Sequence, residues 1–224
     1  MNIEPGSRAA TNDLLTGLRD GRWRPRAWAR FLGRAAARSL RQARRRPRAL
    51  AEITVLHALY ACAGHRNLGW TAASWALAAT HLGMLEDRAS IGVATAVTLT
   101  RANLPTVTDT RWLPVLALAT DLADGRLARA RRTVTPFGRT ADSLADAAFW
   151  TWFAFRHEPS RRLRTVALLA WVAPATAVAA TSFRRGRMVD PPAPVLLRPA
   201  ATMQVVLTVR ALVRQGVTAE SPTA

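Results

Sequence analysis

The chain has 224 residues, a length that favours a single domain. Half of its residues are hydrophobic, yet the mean hydropathy is only +0.02 because 32 basic residues, all arginine, dilute the apolar content. The formal net charge of +18 predicts a phosphate-rich partner, either a nucleic acid or an anionic lipid surface, and the single cysteine excludes an internal disulfide.

The N-terminal region divides into a polar and a basic part. Residues 1–20 are polar, are predicted to fray, and lack the apolar core of a cleavable signal peptide. Residues 22–50 place a few large apolar side chains among many arginines, as in a cationic helix that lies on an anionic membrane surface. A solvated basic tail is the alternative. This basic run precedes the first apolar segment, which predicts a cytoplasmic N-terminus.

Five long apolar segments follow and distinguish between the two kinds of partner. They cover residues 51–64, 67–85, 139–157, 164–183 and 194–213. Several approach the ~20 residues needed to cross hydrocarbon, and soluble nucleic-acid-binding domains rarely carry several such segments. The sequence therefore predicts an all-α, polytopic integral membrane bundle with about six transmembrane helices, and no nucleic acid as partner.

These segments give an expected domain organisation. It comprises a basic N-terminal tail or surface helix over 1–50, extra hydrophobic helices over 51–90, the main membrane domain over 91–213 and a disordered tail over 214–224.

Two pairs of aspartates lie between the apolar segments. Asp121 and Asp124 are three residues apart, and Asp142 and Asp146 are four apart, so each pair shares a helix face. Such carboxylates repel one another, and near a bilayer their desolvation adds a further cost. Pairing with arginine or binding of divalent cations would offset the repulsion. All-oxygen ligands suit Mg²⁺ or Mn²⁺, and two such ions bridging a pyrophosphate would form a phosphoryl-transfer centre.

The residues between the two pairs support this interpretation. Thr135 and Pro136 fit an N-cap and a first turn, which predicts a helix, a short connection and a second helix. Gly125 and Gly138 would let a phosphate, or a neighbouring helix, approach the backbone closely. The alternative for either pair alone is a solvated helix face balanced by nearby arginines.

The complete set resembles the signature D-x2-D-G-x2-A-R-x8-G-x3-D-x3-D of the CDP-alcohol phosphatidyltransferase family. The matching residues are Asp121, Asp124, Gly125, Ala128, Arg129, Gly138, Asp142 and Asp146. The resemblance implies a two-metal centre of Mg²⁺ or Mn²⁺ held by the four aspartates, with Asp146 also the general base on the acceptor hydroxyl. It further implies that Gly125, Ala128, Arg129 and Gly138 face the cytidine diphosphate.

The resemblance extends to both sides of this signature. Upstream, TAVTLTRANLP is similar to the family element N-x-x-T-x-x-R, which implies nucleotide contacts for Thr98 and Arg101, although Thr95 stands in place of asparagine. Downstream, LLRPAATMQ resembles a basic element before T-x-x-Q in some phosphatidylglycerophosphate synthases, through Arg198 and Gln204.

A second group of arginines is expected on the same side of the membrane as the aspartates. Arg184, Arg185 and Arg187 come two spans after Asp146, and with Arg198 they are candidates for clamping an acceptor phosphate by bidentate hydrogen bonds. Positive-inside anchoring is the alternative for the first three.

The resemblance implies an integral-membrane enzyme of phospholipid synthesis. It would transfer a phosphatidyl or similar group from a CDP-linked lipid, such as CDP-diacylglycerol, to a small alcohol or phospho-alcohol and release CMP. Glycerol 3-phosphate and inositol phosphate are the main acceptor choices. The plasma (inner) membrane, a cytoplasmic active site, contacts with membrane lipids and a possible homodimer complete the expectation. A catalytically inactive scaffold is the alternative, because Thr95 and the short segment between Arg101 and Asp121 depart from the family pattern.

Overall fold

The computed structural model describes residues 6–64, 67–110, 112–130, 135–189 and 198–219. Within these residues every regular element is a helix, which confirms the predicted all-α class. The helices are α1 (Ser7–Asp20), α2 (Pro25–Arg45), α3 (Pro47–Ala63), α4 (Leu68–Thr80), α5 (Gly92–Val107), α6 (Leu113–Ala130), α7 (Pro136–His157), α8 (Arg161–Arg185) and α9 (Arg198–Ala219). A short 3₁₀ helix, Leu82–Leu85, follows α4.

Among the described residues, 7–20 and 214–219 are helical, where the sequence predicted fraying and disorder. The expectation that residues 1–20 fray is wrong for the described part, because Leu15 and Leu18 lie on one face of α1 and are both buried. The basic run over 22–50 forms two helices, because Pro47 starts α3 and disfavours a helical conformation at the preceding Arg46, whose φ is −124° and ψ 59°. At the other end, α9 continues to Ala219, inside the predicted disordered tail.

The order of contacts along the helices fixes their directions. Thr98 and Arg101 of α5 meet Asp124 and Asp121 of α6, in that order, so these two helices are antiparallel. The turn after α7 makes α8 antiparallel to α7. One end of the bundle therefore contains the starts of α5 and α7 and the ends of α6 and α8, and we call it the carboxylate end.

Two hydrophobic clusters hold the helices together. The first cluster contains residues of α6, α7, α8 and α9. It is rich in buried aromatic rings, with Trp150 stacked on Trp171 at a centroid distance of 6.2 Å. The second joins α3 and the 3₁₀ helix to α5 and α7, where Ile53, Leu82 and Phe137 are buried. Each large side chain buried in this way stabilises the fold by about 1.5–3 kcal/mol.

A polar contact fastens α3 and α4 to α5. The buried His57 of α3 lies 3.0 Å from the hydroxyl of Ser74 in α4, and the Nδ2 of Asn103 in α5 donates to the same hydroxyl at 3.1 Å. Gly64, just after α3, approaches α5 so closely that a Cβ there would lie 2.0 Å from the carbonyl oxygen of Thr106. These contacts fix the position of α5, which carries Thr98 and Arg101.

One described helix is long and apolar enough to cross a membrane. It is α8, with 25 residues, and most of its apolar stretch is exposed. Helix length and apolar composition therefore do not confirm the predicted set of about six spanning helices. α3, α4 and α5 are short, with 17, 13 and 16 residues, and α6 and α7 carry the aspartates.

A buried carboxylate anchors the opposite end of the bundle. Glu158, in the turn between α7 and α8, has a side chain only 1% exposed and accepts hydrogen bonds from Arg210, Arg214 and the backbone N–H of Ser160. Burial alone would raise the pKa of Glu158, but the hydrogen bonds from Arg210, Ser160 and Arg214 outweigh it and hold the pKa below its ordinary value of 4.5. This carboxylate ties the α7–α8 turn to α9.

Replacing Glu158 by Gln should lower the free energy of unfolding at pH 7 by about 1–3 kcal/mol, because charge-assisted hydrogen bonds are lost inside the protein. Since the folded-state pKa is lowered, this contribution is complete above about pH 4.5 and disappears as the pH falls through the folded-state pKa. Denaturant unfolding followed by tryptophan fluorescence at pH 7 and in acid measures it. The exposed Asp20→Asn is the control, and an equal loss at both pH values would contradict the assignment.

Candidate active site

The four aspartates of the sequence signature surround one guanidinium group. Arg101 Nη1 lies 3.1 Å from Asp121 Oδ1 and 3.1 Å from Asp124 Oδ2, and its Nε lies 2.9 Å from Asp146 Oδ1. Its Nη2 pairs with Asp142. Three helices thus converge, with Arg101 from α5, one aspartate pair from α6 and the other from α7.

Burial makes this group of charges costly. The side chain of Arg101 is fully buried and that of Asp124 is 6% exposed, whereas Asp142 is 45% exposed and marks the open side. Four carboxylates share one guanidinium, so in their ionised form they would leave an excess of negative charge in the cluster. Further positive charge would therefore stabilise it.

Polar neighbours orient two of the carboxylates. Thr98 Oγ1 donates a hydrogen bond to Asp124 Oδ2 at 2.7 Å. Gln204 Nε2, from α9, donates to Asp146 Oδ2 at 3.3 Å. The other oxygen of Asp146, Oδ1, is buried and has no hydrogen-bond partner among the described residues, because the nearby Nε of Arg101 is not aligned to donate to it. This oxygen retains its capacity as a ligand.

The donor atoms fit a hard divalent cation. Asp121, Asp142 and Asp146 each offer a carboxylate oxygen, and these oxygens lie within 4.8 Å of one another. Carboxylate oxygens are the ligands that Mg²⁺ and Mn²⁺ prefer, and Asp146 contributes one oxygen to this set. Asp124 is bonded to Thr98 and lies beside the group, next to the neighbouring cavity.

That cavity lies between α5, α6 and α7 and reaches the carboxylates. Its lining residues are Ala94, Thr95, Thr98, Asp124, Gly125, Arg129, Thr135, Gly138, Arg139 and Asp142. Four residues predicted to contact the nucleotide lie in this wall, namely Thr98, Gly125, Arg129 and Gly138. Arg101 and Ala128 were also predicted to contact the nucleotide, but Arg101 is not among the residues that line this cavity. Arg101 contacts the carboxylates, and the side chain of Ala128 lies outside what the structure describes.

Local sequence explains the cavity wall contributed by α7. Thr135 caps the helix by accepting a hydrogen bond from the backbone N–H of Gly138 at 2.9 Å, as predicted, and Pro136 occupies the first turn. A Cβ on Gly138 would lie only 3.2 Å from the Thr135 hydroxyl oxygen, so glycine keeps this wall open. Residues 131–134, which connect α6 to α7, lie outside the described residues.

The candidate acceptor-binding arginines occupy two places. Arg184 and Arg185 end α8 at the carboxylate end, and Arg187 follows after the left-handed Gly186. This segment packs on α1, since the backbone carbonyl of Arg185 accepts a hydrogen bond from Arg19 at 3.0 Å. Arg198 begins α9 and lines a shallow cleft between α8 and α9. Among the described residues, the carboxylates of the cluster form ion pairs with Arg101 and not with these four side chains.

A family model, CDP-alcohol phosphatidyltransferase, matches residues 88–221. The match covers more than half of the chain and contains the four aspartates, Arg101 and the cavity. The chain belongs to this family. Its members transfer phospho-alcohol groups from CDP-alcohols. Searches of the curated proteins and of the solved structures find no match to the chain.

The family match covers only the C-terminal part of this transferase family member. α5 to α9 lie within the matched span, whereas α1 to α4 precede it. The chain therefore adds four described helices to the family region, and two of them, α3 and α4, brace α5 through His57 and Ser74.

Sequence reasoning assigned no functional role to Arg139 or Thr135, although both line the cavity. A helical pattern could have found them. Once Pro136 is taken as the start of α7, positions 135, 138, 139 and 142 share one helix face, which also carries a metal-ligand candidate.

Replacing Arg101 by Met should lower the free energy of unfolding by about 3–5 kcal/mol when divalent cations are chelated, because the carboxylates lose their buried counter-charge. Denaturant unfolding of the detergent-solubilised protein in chelator measures the difference. Arg126→Met is the control, since Arg126 is exposed on α6. Equal stability of the wild type and Arg101→Met would show that the cluster does not depend on the guanidinium.

Proposed function

We propose that this chain is a divalent-metal-dependent enzyme of phospholipid synthesis. It moves a phosphatidyl or similar phospho-alcohol group from a CDP-linked lipid, such as CDP-diacylglycerol, to an alcohol or phospho-alcohol acceptor and releases CMP. The observation that carries the proposal is the convergence of the four signature aspartates beside a cavity walled by Gly125, Arg129 and Gly138.

The aspartates would hold the cations. Asp121, Asp142 and Asp146 provide the close group of oxygens, and Asp124 is adjacent to complete a two-metal set. Bound Mg²⁺ or Mn²⁺ would supply Lewis-acid stabilisation of the negative charge that develops on the transferred phosphate.

The cavity residues would bind the nucleotide end of the donor. Arg129 lies over Gly125, with its guanidinium close to where a Cβ of that residue would be, so a diphosphate in the cavity could reach this guanidinium. Thr98, Gly138 and Ala128 belong to the same proposed nucleotide-binding set, with Arg101 anchoring the carboxylates next to it.

Asp146 would act as the general base. Gln204 holds one carboxylate oxygen, which leaves the other directed into the cluster. In the transfer, Asp146 takes the proton of the acceptor hydroxyl, the acceptor oxygen forms a bond to the phosphorus of the donor, and the bond from that phosphorus to the CMP oxygen breaks. The products are a phosphodiester and CMP.

The acceptor would approach from the carboxylate end. Arg184, Arg185 and Arg187 lie at this end, and Arg198 opens α9, so a phosphorylated acceptor such as glycerol 3-phosphate or inositol phosphate has cationic partners. Anchoring of α8 at the cytoplasmic face by the same arginines is compatible with this role.

A membrane location follows from the apolar surface. Large hydrophobic side chains are exposed along several helices beyond α8. They include Val55, Leu59, Leu77, Leu116, Leu122, Leu144, Phe155, Val205, Val209 and Val213. Lipid would cover such surfaces at little cost, which supports about six membrane-embedded helices in the plasma (inner) membrane, with the carboxylate end in the cytoplasm. Contacts with membrane lipids and a homodimer belong to the same proposal.

A catalytically inactive scaffold is the second candidate. The specific observation in its favour is that Arg101 contacts all four carboxylates, as in a purely structural ion cluster. Metal-dependent release of CMP separates the two functions.

Asp146→Asn should lower the rate of CMP release from CDP-diacylglycerol by at least about 100-fold, because the proton acceptor is lost. The assay uses protein purified in detergent, Mg²⁺ or Mn²⁺, and a panel of acceptors added one at a time. Asp109→Asn is the matched control, since Asp109 pairs with Arg156 and His157 at the opposite end of the bundle. Folded wild-type protein that releases no CMP with any acceptor would favour the scaffold.

Gly125→Ala should raise the KM for the CDP-linked donor while stabilising the fold by about 0.5–1 kcal/mol, since alanine favours the helix over glycine. The added Cβ would lie 3.3 Å from Arg129 Nη1 and displace this group within the cavity. Steady-state kinetics and denaturant unfolding measure the two effects. Gly17→Ala, in α1 with open space around it, controls for the change in helix propensity. An unchanged KM would argue against nucleotide binding here.

A further inference from the structure

The helix α2 presents three different faces. Its inner face packs on α4 and the 3₁₀ helix, where the buried Gln42 lies against Gly83, while the buried Ala27 lies against Gly21. A second face is apolar and exposed. Trp28, Leu32 and Leu40 lie on it at multiples of four residues and are 36%, 59% and 53% exposed. We call these three residues the α2 stripe.

The third face of α2 is cationic. Arg26, Arg30 and Arg34 follow one another at four-residue intervals beside the α2 stripe, and all three are exposed. The sequence from Gly21 to Ala51 contains no acidic residue. An exposed apolar face is costly in water. Next to a positively charged face, it suits the boundary between anionic headgroups and acyl chains.

Aromatic and backbone contacts hold α1 and α2 against the end of α8. Trp28 and Phe31 of α2 pack on Phe183, with ring centroids 5.8 and 6.5 Å apart. Thr16 of α1 donates a hydrogen bond to the carbonyl oxygen of Gly186 at 3.0 Å. If α8 crosses the membrane as proposed, its end lies at a membrane boundary, and the contacts with Phe183 place the start of α2 near that level.

We propose that the α2 stripe and its neighbouring arginines dock on an anionic phospholipid surface at the carboxylate end. This inference rests on the membrane placement of α8 in the proposed function. Charge complementarity favours such a surface. The apolar stripe adds a requirement for hydrocarbon, which an RNA does not meet. Because α1 to α4 precede the family match, this surface belongs to the added part of the chain.

Fluorescent probes at two positions test the docking. In a Cys62→Ala background, an environment-sensitive probe is attached to Leu32→Cys on the α2 stripe or to Ala37→Cys, an exposed position toward the arginine face. The full chain is reconstituted in nanodiscs of phosphatidylcholine, with and without phosphatidylglycerol. Bromine atoms in the acyl chains and aqueous iodide report contact with lipid and with water.

With phosphatidylglycerol present, the probe at position 32 should be quenched by brominated lipid and protected from iodide, whereas the probe at position 37 should remain accessible to iodide. Changing Arg26, Arg30 and Arg34 to Gln should lower the docked-to-undocked ratio on the order of 100-fold, since each arginine near an anionic surface contributes about fivefold. The charge change leaves the stripe intact.

Three results would overturn the proposal. They are iodide access at position 32 in anionic nanodiscs, no effect of phosphatidylglycerol, and protection of position 32 by added RNA but not by anionic lipid. Carbonate extraction separates this inference from the membrane placement on which it rests. Protein that leaves the membrane in carbonate contradicts the placement itself, whereas protein that stays embedded with an iodide-accessible position 32 contradicts only the docking of α2.

Discussion

The buried contact between Arg101 and four carboxylates is the constraint on which the rest of the bundle depends. Carboxylates from α6 and α7 repel one another at this distance, and the exclusion of water strengthens the repulsion. Arg101 offsets it from a third helix, α5, so these helices must meet at this level and in these directions. The same contacts place four carboxylates around one guanidinium, and Asp146 Oδ1 is paired with Arg101 but accepts no hydrogen bond among the described residues. A stable helix junction and a strong preference for cations therefore have one origin.

Holding a guanidinium at such a point requires a rigid α5, and the added N-terminal helices provide this. Glu52 of α3 caps the start of α5 by accepting a hydrogen bond from the backbone N–H of Ile91 at 2.9 Å. Farther along, Asn103 bonds to Ser74 of α4, only two residues beyond Arg101. The segment outside the family match thus contacts α5 both before and after Thr98 and Arg101. His57 and Asn103 are buried between helices, which indicates that the added helices form part of the packed bundle and not only its surface.

Local features of the site could be predicted from the sequence, and distant contacts could not. The N-cap at Thr135 and the pairing of aspartates on helix faces depend on spacings of three or four residues, which the chain shows directly. The role of Arg101 depends on the packing of three helices, so the sequence suggested arginine pairing in general but assigned Arg101 to the nucleotide. The resemblance singled out Gln204, but its contact with Asp146, 58 positions away, depends on the packing of α9 against α7 and could not be predicted. The helix α1 was not predicted for the same reason. Its leucines become buried only because α1 packs on α2 and α8.

The two ends of the bundle use charge in opposite ways. At one end Glu158 is surrounded by donors from Arg210, Arg214 and Ser160, so its charge is satisfied and the end is closed. At the other end four carboxylates share one guanidinium inside the bundle, while α2 and the end of α8 carry arginines at the surface. A positive surface raises the local concentration of anionic ligands over distances of about 10 Å, and an excess of negative charge inside it retains cations. Together they favour the joint presence of divalent cations and a diphosphate at one end of the molecule, which is the combination that phosphoryl transfer requires.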